Sequence, residues 1–63
     1  MAAFDTYHAF NRAIPERDQQ ALRELQLMTW NDLVAARSEE ARLRVVENYI
    51  LEVHERLTKQ KGL

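Results

Sequence analysis

The apolar positions of this chain fall at helical spacings almost from end to end. Phe4, Tyr7, Phe10 and Ile14 follow one another at three, three and four residues, which is one face of a short helix expected over residues 4–13. Asp5 or Thr6 can cap it. Pro15 ends it, because proline drives the residue before it out of helical geometry and suits the first turn of the next helix. Glu16 and Asp18 follow in that turn, where the helix dipole favours acidic side chains.

A second helix is expected over residues 15–36. Ala21, Leu22, Leu25, Met28, Leu33 and Ala36 share one side of it, and Leu27, Trp30 and Val34 share another. Thr29 and Asp32 resemble a capping box, with Met28 and Leu33 as the matching hydrophobic staple, so a break at Thr29 competes with the continuous helix. The longer stripe favours continuity.

The third helix, over residues 38–60, has the clearest pattern. Leu43, Val46, Ile50, Val53 and Leu57 repeat at three, four, three and four residues, as in the seam of a coiled coil. Ser38 is a suitable N-cap, Glu39 and Glu40 occupy the first turn, Lys59 and Lys61 lie near the end, and Gly62 just past it. Glu40–Arg44, Glu52–Arg56 and Glu55–Lys59 are correctly oriented pairs four residues apart. Were residues 30–60 one helix, this seam would point almost opposite to Trp30, Leu33 and Val34. A turn at Arg37–Ser38 removes the conflict and leaves two helices of about 22 residues, roughly 33 Å each at 1.5 Å per residue. Equal lengths and a short joint suit an antiparallel hairpin.

Composition sharpens this picture. With 63 residues the chain is one small domain, 46% of it hydrophobic, enough for a core, and 30% charged. One glycine and one proline are too little punctuation for an all-β chain. The expected fold is therefore all-α: an antiparallel helical hairpin with a short N-terminal helix, dimerising into a helical bundle. Dimerisation enters because a lone hairpin cannot cover every apolar face: Leu27, Trp30 and Val34 lie outside the seam of the second helix, and Ala41, Val45 and Tyr49 outside that of the third. Core or dimer-seam positions are Leu22, Leu25, Leu33, Leu43, Val46, Ile50, Val53 and Leu57.

Charge and candidate chemistry exclude more than they assign. The formal net charge is −1, from nine basic and ten acidic residues, and no end of the chain is a polycation. Cysteine is absent, which removes thiol chemistry. No apolar stretch is long enough to span a membrane, and the start carries no basic and apolar leader, so a bacterial or viral-host cytoplasm is the expected compartment. Asp5 and His8 are three apart, but two ligands do not make a metal site, and His54 reads as a solvated residue at a seam edge. No nucleophile with a base, no phosphate-binding loop and no carboxylate pair stands out, so neither an enzyme nor a cofactor is expected.

The expected function is accordingly a non-enzymatic protein–protein interaction module, a small regulator, inhibitor or adaptor that docks a helical face on a larger protein. The candidate protein-binding residues are Phe4, Tyr7, Phe10 and Trp30, since aromatic side chains supply large contact area with few rotors to freeze. Against this stands a fold in which the first segment packs back over Leu27, Trp30 and Val34 as a third helix. A dimeric nucleic-acid-binding regulator ranks second, because Arg42, Arg56 and Lys59 are interleaved with Glu52 and Glu55. A structural subunit of a larger assembly ranks third.

Overall fold

The computed structural model describes the backbone of residues 2–61 and the side chains of residues 2–59. These residues form four helices and no strand: α1 (Ala2–Ala13), α2 (Glu16–Ala21), α3 (Arg23–Ala35) and α4 (Glu39–Lys61). The expected Gly62 stop signal and the Lys61 side chain lie outside the described residues.

Each chain reversal has a local cause. Pro15, with φ −55° and ψ 145°, stands between α1 and α2, and its carbonyl accepts the amides of Asp18 at 2.9 Å and Gln19 at 3.2 Å. It therefore caps α2 from outside rather than forming its first residue. At the second reversal Ala36 turns extended, φ −66° and ψ 139°. Ser38 then opens α4: its Oγ accepts the Ala41 amide at 3.1 Å and its carbonyl accepts the Arg42 amide at 3.0 Å. Thr29 is buried inside α3 and caps nothing.

The expected continuous helix over residues 15–36 is not what forms. It breaks at Leu22, where φ −102° and ψ 3° separate α2 from α3. The Leu22 amide is shared between the carbonyls of Asp18 and Gln19, both at 3.2 Å, and its own carbonyl accepts the Gln26 amide at 2.8 Å. Both backbone groups of Leu22 are thus paired, so a one-residue bend here needs neither glycine nor proline. The bend is held by side chains. Gln19 donates from Nε2 to the carbonyls of Asn11 (2.5 Å) and Ile14 (3.2 Å), and its Oε1 accepts Gln26 Nε2 at 2.8 Å.

α1 is part of the core. Its Ala3 and Tyr7, with Ile14 just after it, are buried together with Leu22 and Leu33 from the second segment and Val46, Tyr49 and Val53 from α4. The Tyr7 ring lies 5.3 Å from that of Tyr49 and 5.9 Å from that of Trp30, so one side chain of α1 bridges α3 and α4. Burying side chains of this size contributes about 1.5–3 kcal/mol each. The first segment thus packs back against α3 and α4 instead of standing apart from them. α1 runs alongside α4 from start to end: the Ala3 amide donates to Glu39 Oε2 at 2.9 Å, and further along Phe10 meets Tyr49 and His54 at 5.7 and 6.0 Å.

Candidate functional site

The four expected binding aromatics do not form an open face. Tyr7 is core, because its hydroxyl finds the Gln26 carbonyl at 3.1 Å and its ring is enclosed by α3 and α4. Phe4 and Phe10 are half-buried against the core, the one edge-on to Trp30 at 5.6 Å, the other edge-on to Tyr49. Trp30 alone of the four keeps substantial exposure, 39%. An aromatic stripe near a terminus reads identically whether it is presented or folded inward, and only the packing of Tyr7 decides.

The expected seam divides as well. Leu22, Leu33, Val46 and Val53 are buried, whereas Leu25, Ile50 and Leu57 are half-buried and Leu43 is exposed. Leu43 leaves the core because α1 approaches α4 on the Val46–Tyr49–Val53 side, so the buried stripe of α4 is rotated away from it. Tyr49 takes the place in the core that periodicity assigned to its neighbour Ile50. Its hydroxyl is the cue that sequence reasoning passed over: it donates to Asn11 Oδ1, which makes it a polar cross-link to α1. Burial raises the Tyr49 pKa, opposed by a hydrogen bond with Gln26.

With the core closed, two apolar strips remain uncovered. Leu27, Trp30 and Val34 lie along one face of α3; Trp30 is partly covered there by the rings of Phe4, Tyr7 and His8, while the two aliphatic residues are each about 60% exposed. Leu43 and Leu51 lie on α4, at the mouth of a groove of about 390 Å³ lined also by Thr6, Val46, Glu47 and Ile50. This groove runs between α1 and α4 and contains no residue of α3. A separate cleft, between α3 and α4, has a mixed lining that includes Met28, Asp32, Asn48, Glu52 and Arg56.

The charged surface is organised by neighbours along α4. Arg44 meets Glu40 at 3.6 Å, Arg56 meets Glu52 at 3.0 Å and Lys59 meets Glu55 at 3.2 Å. Each is an exposed pair contributing about 0.3–0.5 kcal/mol, and together they break up any basic stripe on that helix. Arg42 is more enclosed: it donates to Glu39 at 3.1 Å and to the Ala36 carbonyl at 3.3 Å, and it lies over the Phe4 ring at 5.9 Å. The Ala3 amide, and secondarily Arg42, hold the Glu39 carboxyl below its ordinary value. Among the described residues no three His, Asp or Glu stand close enough to hold a metal ion, and no helix is long and apolar enough to cross a membrane.

The fold and its surface define an all-α bundle with two uncovered apolar strips. No protein-family model, curated protein or solved structure matches the chain.

Proposed function

We propose that this chain is a non-enzymatic protein–protein interaction module, a small cytoplasmic regulator, inhibitor or adaptor that docks on a larger protein. The observation that carries this reading is the α1–α4 groove, where Leu43 and Leu51 stay uncovered although the core has closed without them. In a chain of 63 residues, leaving such side chains in water forgoes burial that stability needs, so their exposure calls for an occupant. The groove is almost wholly aliphatic with Glu47 on its lining, which suits an apolar helix face of the partner flanked by a basic residue. α4 supplies most of the groove, and Thr6 of α1 closes its other side.

The binding surface is therefore moved from the aromatics of α1 to the aliphatic residues of α4. Affinity capture from native host lysate tests it. A partner retained by the wild type should be lost with Leu51→Glu, whose helical content should be unchanged because the side chain is 62% exposed. Equal capture by both would overturn the groove. Binding to bulk RNA or DNA that falls steeply with salt would favour nucleic acid instead.

A further inference from the structure

We propose that the cleft between α3 and α4 binds a primary alkylammonium group, with its charge on Asp32, a hydrogen bond to Thr29 at the floor, and its aliphatic stem on Leu25 and Val45. The cleft shares no residue with the α1–α4 groove, so this inference stands apart from the partner-docking reading and the two can fail separately.

Thr29 is the residue that points to a ligand. It is buried, 5% exposed, and it lines this cleft. Among the described residues its hydroxyl has no hydrogen-bond partner, whereas every fully enclosed side-chain nitrogen or oxygen has one. The Thr29 oxygen is therefore not sealed in the core but opens on the cleft, where a group from outside the fold can pair with it. A buried hydroxyl without a partner is costly, and the isosteric valine would fill the same space without that cost.

The charged lining selects the kind of group. Arg56 is held by Glu52, Nε to Oε2 at 3.0 Å, so that pair is internally neutral. Asp32 forms no ion pair among the described residues, which leaves its carboxylate uncompensated. It stands three residues from Thr29 on the same face of α3. From α4 the cleft receives Asn48, whose side-chain carbonyl is a further acceptor, while the Tyr49 hydroxyl is engaged with Asn11. A carboxylate, a hydroxyl and a carboxamide oxygen are three acceptors, and a primary ammonium carries three donors and no acceptor. An anion would meet Asp32 with like charge, and a neutral alcohol would leave that charge unanswered.

The remaining lining suits a stem. Leu25 and Val45 are half-buried against the core, and Met28 stands exposed beside them with a flexible thioether that can fold over an aliphatic chain. At about 370 Å³ the cleft lies at the small end of ligand sites. A single small amine should therefore bind weakly, with a Kd in the millimolar range.

Titration of the isotope-labelled full chain, followed by NMR at constant ionic strength, is the test. The probe is n-butylammonium, with n-butanol and butyrate as controls. The ammonium should give saturable shifts at the amides of Thr29, Asp32 and Asn48, and the controls should not. Asp32→Asn should weaken binding at least roughly tenfold. Thr29→Val should weaken it a few-fold while melting no lower than the wild type, which separates a lost acceptor from a damaged fold. Leu51→Glu, in the other groove, should bind the amine as the wild type does. Nα-acetyl-lysine amide distinguishes the source: tighter binding than n-butylammonium assigns the cleft to a lysine side chain of a partner, weaker binding to a free amine. Shifts that never saturate, saturation by n-butanol at the same concentrations, or undiminished binding by Asp32→Asn would overturn the proposal.

Discussion

α4 and the segment formed by α2 and α3 are of similar length, yet they are built on different terms. α4 is one unbroken helix whose start is fixed by Ser38 and whose outer surface is laced with ion pairs four residues apart. Its local signals and its packing agree. The α2–α3 segment has no side-chain cap at either helix start and bends at Leu22, a strong helix former that is buried in the core. There the tertiary structure overrides local preference. Gln19 and Gln26 span the bend, Gln19 ties it to the end of α1, and the bent rod delivers Leu22 and Leu33 to one core. A helix with its own caps and pairs can form early, whereas one held by distant side chains depends on the rest of the molecule.

That dependence can be broken most severely by removing α1. Deleting residues 1–13 takes Ala3 and Tyr7 out of the core and the Asn11 anchor away from Gln19 and Tyr49. The remainder should lose its cooperative thermal transition in circular dichroism, with the α2–α3 segment melting first. A truncated chain that melts like the full one would show that α2, α3 and α4 are self-sufficient.

Core truncation is the next largest perturbation. Leu22→Ala and Leu33→Ala should each cost about 2–5 kcal/mol in denaturant unfolding, while Leu43→Ala, at an exposed position of α4, should fall within about 0.5 kcal/mol of the wild type. Similar losses at all three would place Leu43 back in a seam.

Tyr49→Phe removes the hydroxyl that satisfies Asn11 and should cost about 1–3 kcal/mol if the amide is left unpaired. Ser38→Ala tests the local signal of α4 and should cost about 1 kcal/mol.

The smallest effect is a pH dependence. Glu39 is held below its ordinary value of 4.5, chiefly by the Ala3 amide. A carboxyl with a depressed folded pKa contributes stability that is complete above its unfolded pKa and is lost as pH falls through the folded one. Glu39→Gln should therefore melt below the wild type at neutral pH, with the gap closing as pH drops below 4.5. A gap that stays constant into acid would mean that the carboxylate charge plays no part in joining the start of α1 to α4.

The helical class and both chain reversals were legible because they rest on local chemistry: Pro15, the Ser38 cap, and the phase conflict between Trp30 and the Leu43–Leu57 stripe. The bend at Leu22 was not, since glutamines seven residues apart carry no periodic signal. Nor could the sequence decide the fate of α1. Phe4, Tyr7 and Phe10 make the same stripe whether they meet a partner or the other helices, and what binds Tyr7 inward is the Gln26 carbonyl, a backbone group invisible to side-chain patterning. Leu43 was misplaced for a related reason. A strict three–four repeat specifies a seam but not the direction from which a third helix arrives, and α1 draws the core toward Tyr49.

α1 is a structural member of the bundle, and on that rests the proposal that the aliphatic groove between α1 and α4 binds a partner. Native-state amide hydrogen exchange tests it most directly, because each amide reports the free energy of the opening that exposes it. The amides of Tyr7 and Phe10 should exchange with the same opening free energy as those of Leu33, Tyr49 and Val53, and all should weaken together in denaturant. Fast, denaturant-independent exchange throughout α1, with α3 and α4 still protected, would show a detachable arm and return the binding surface to its aromatics.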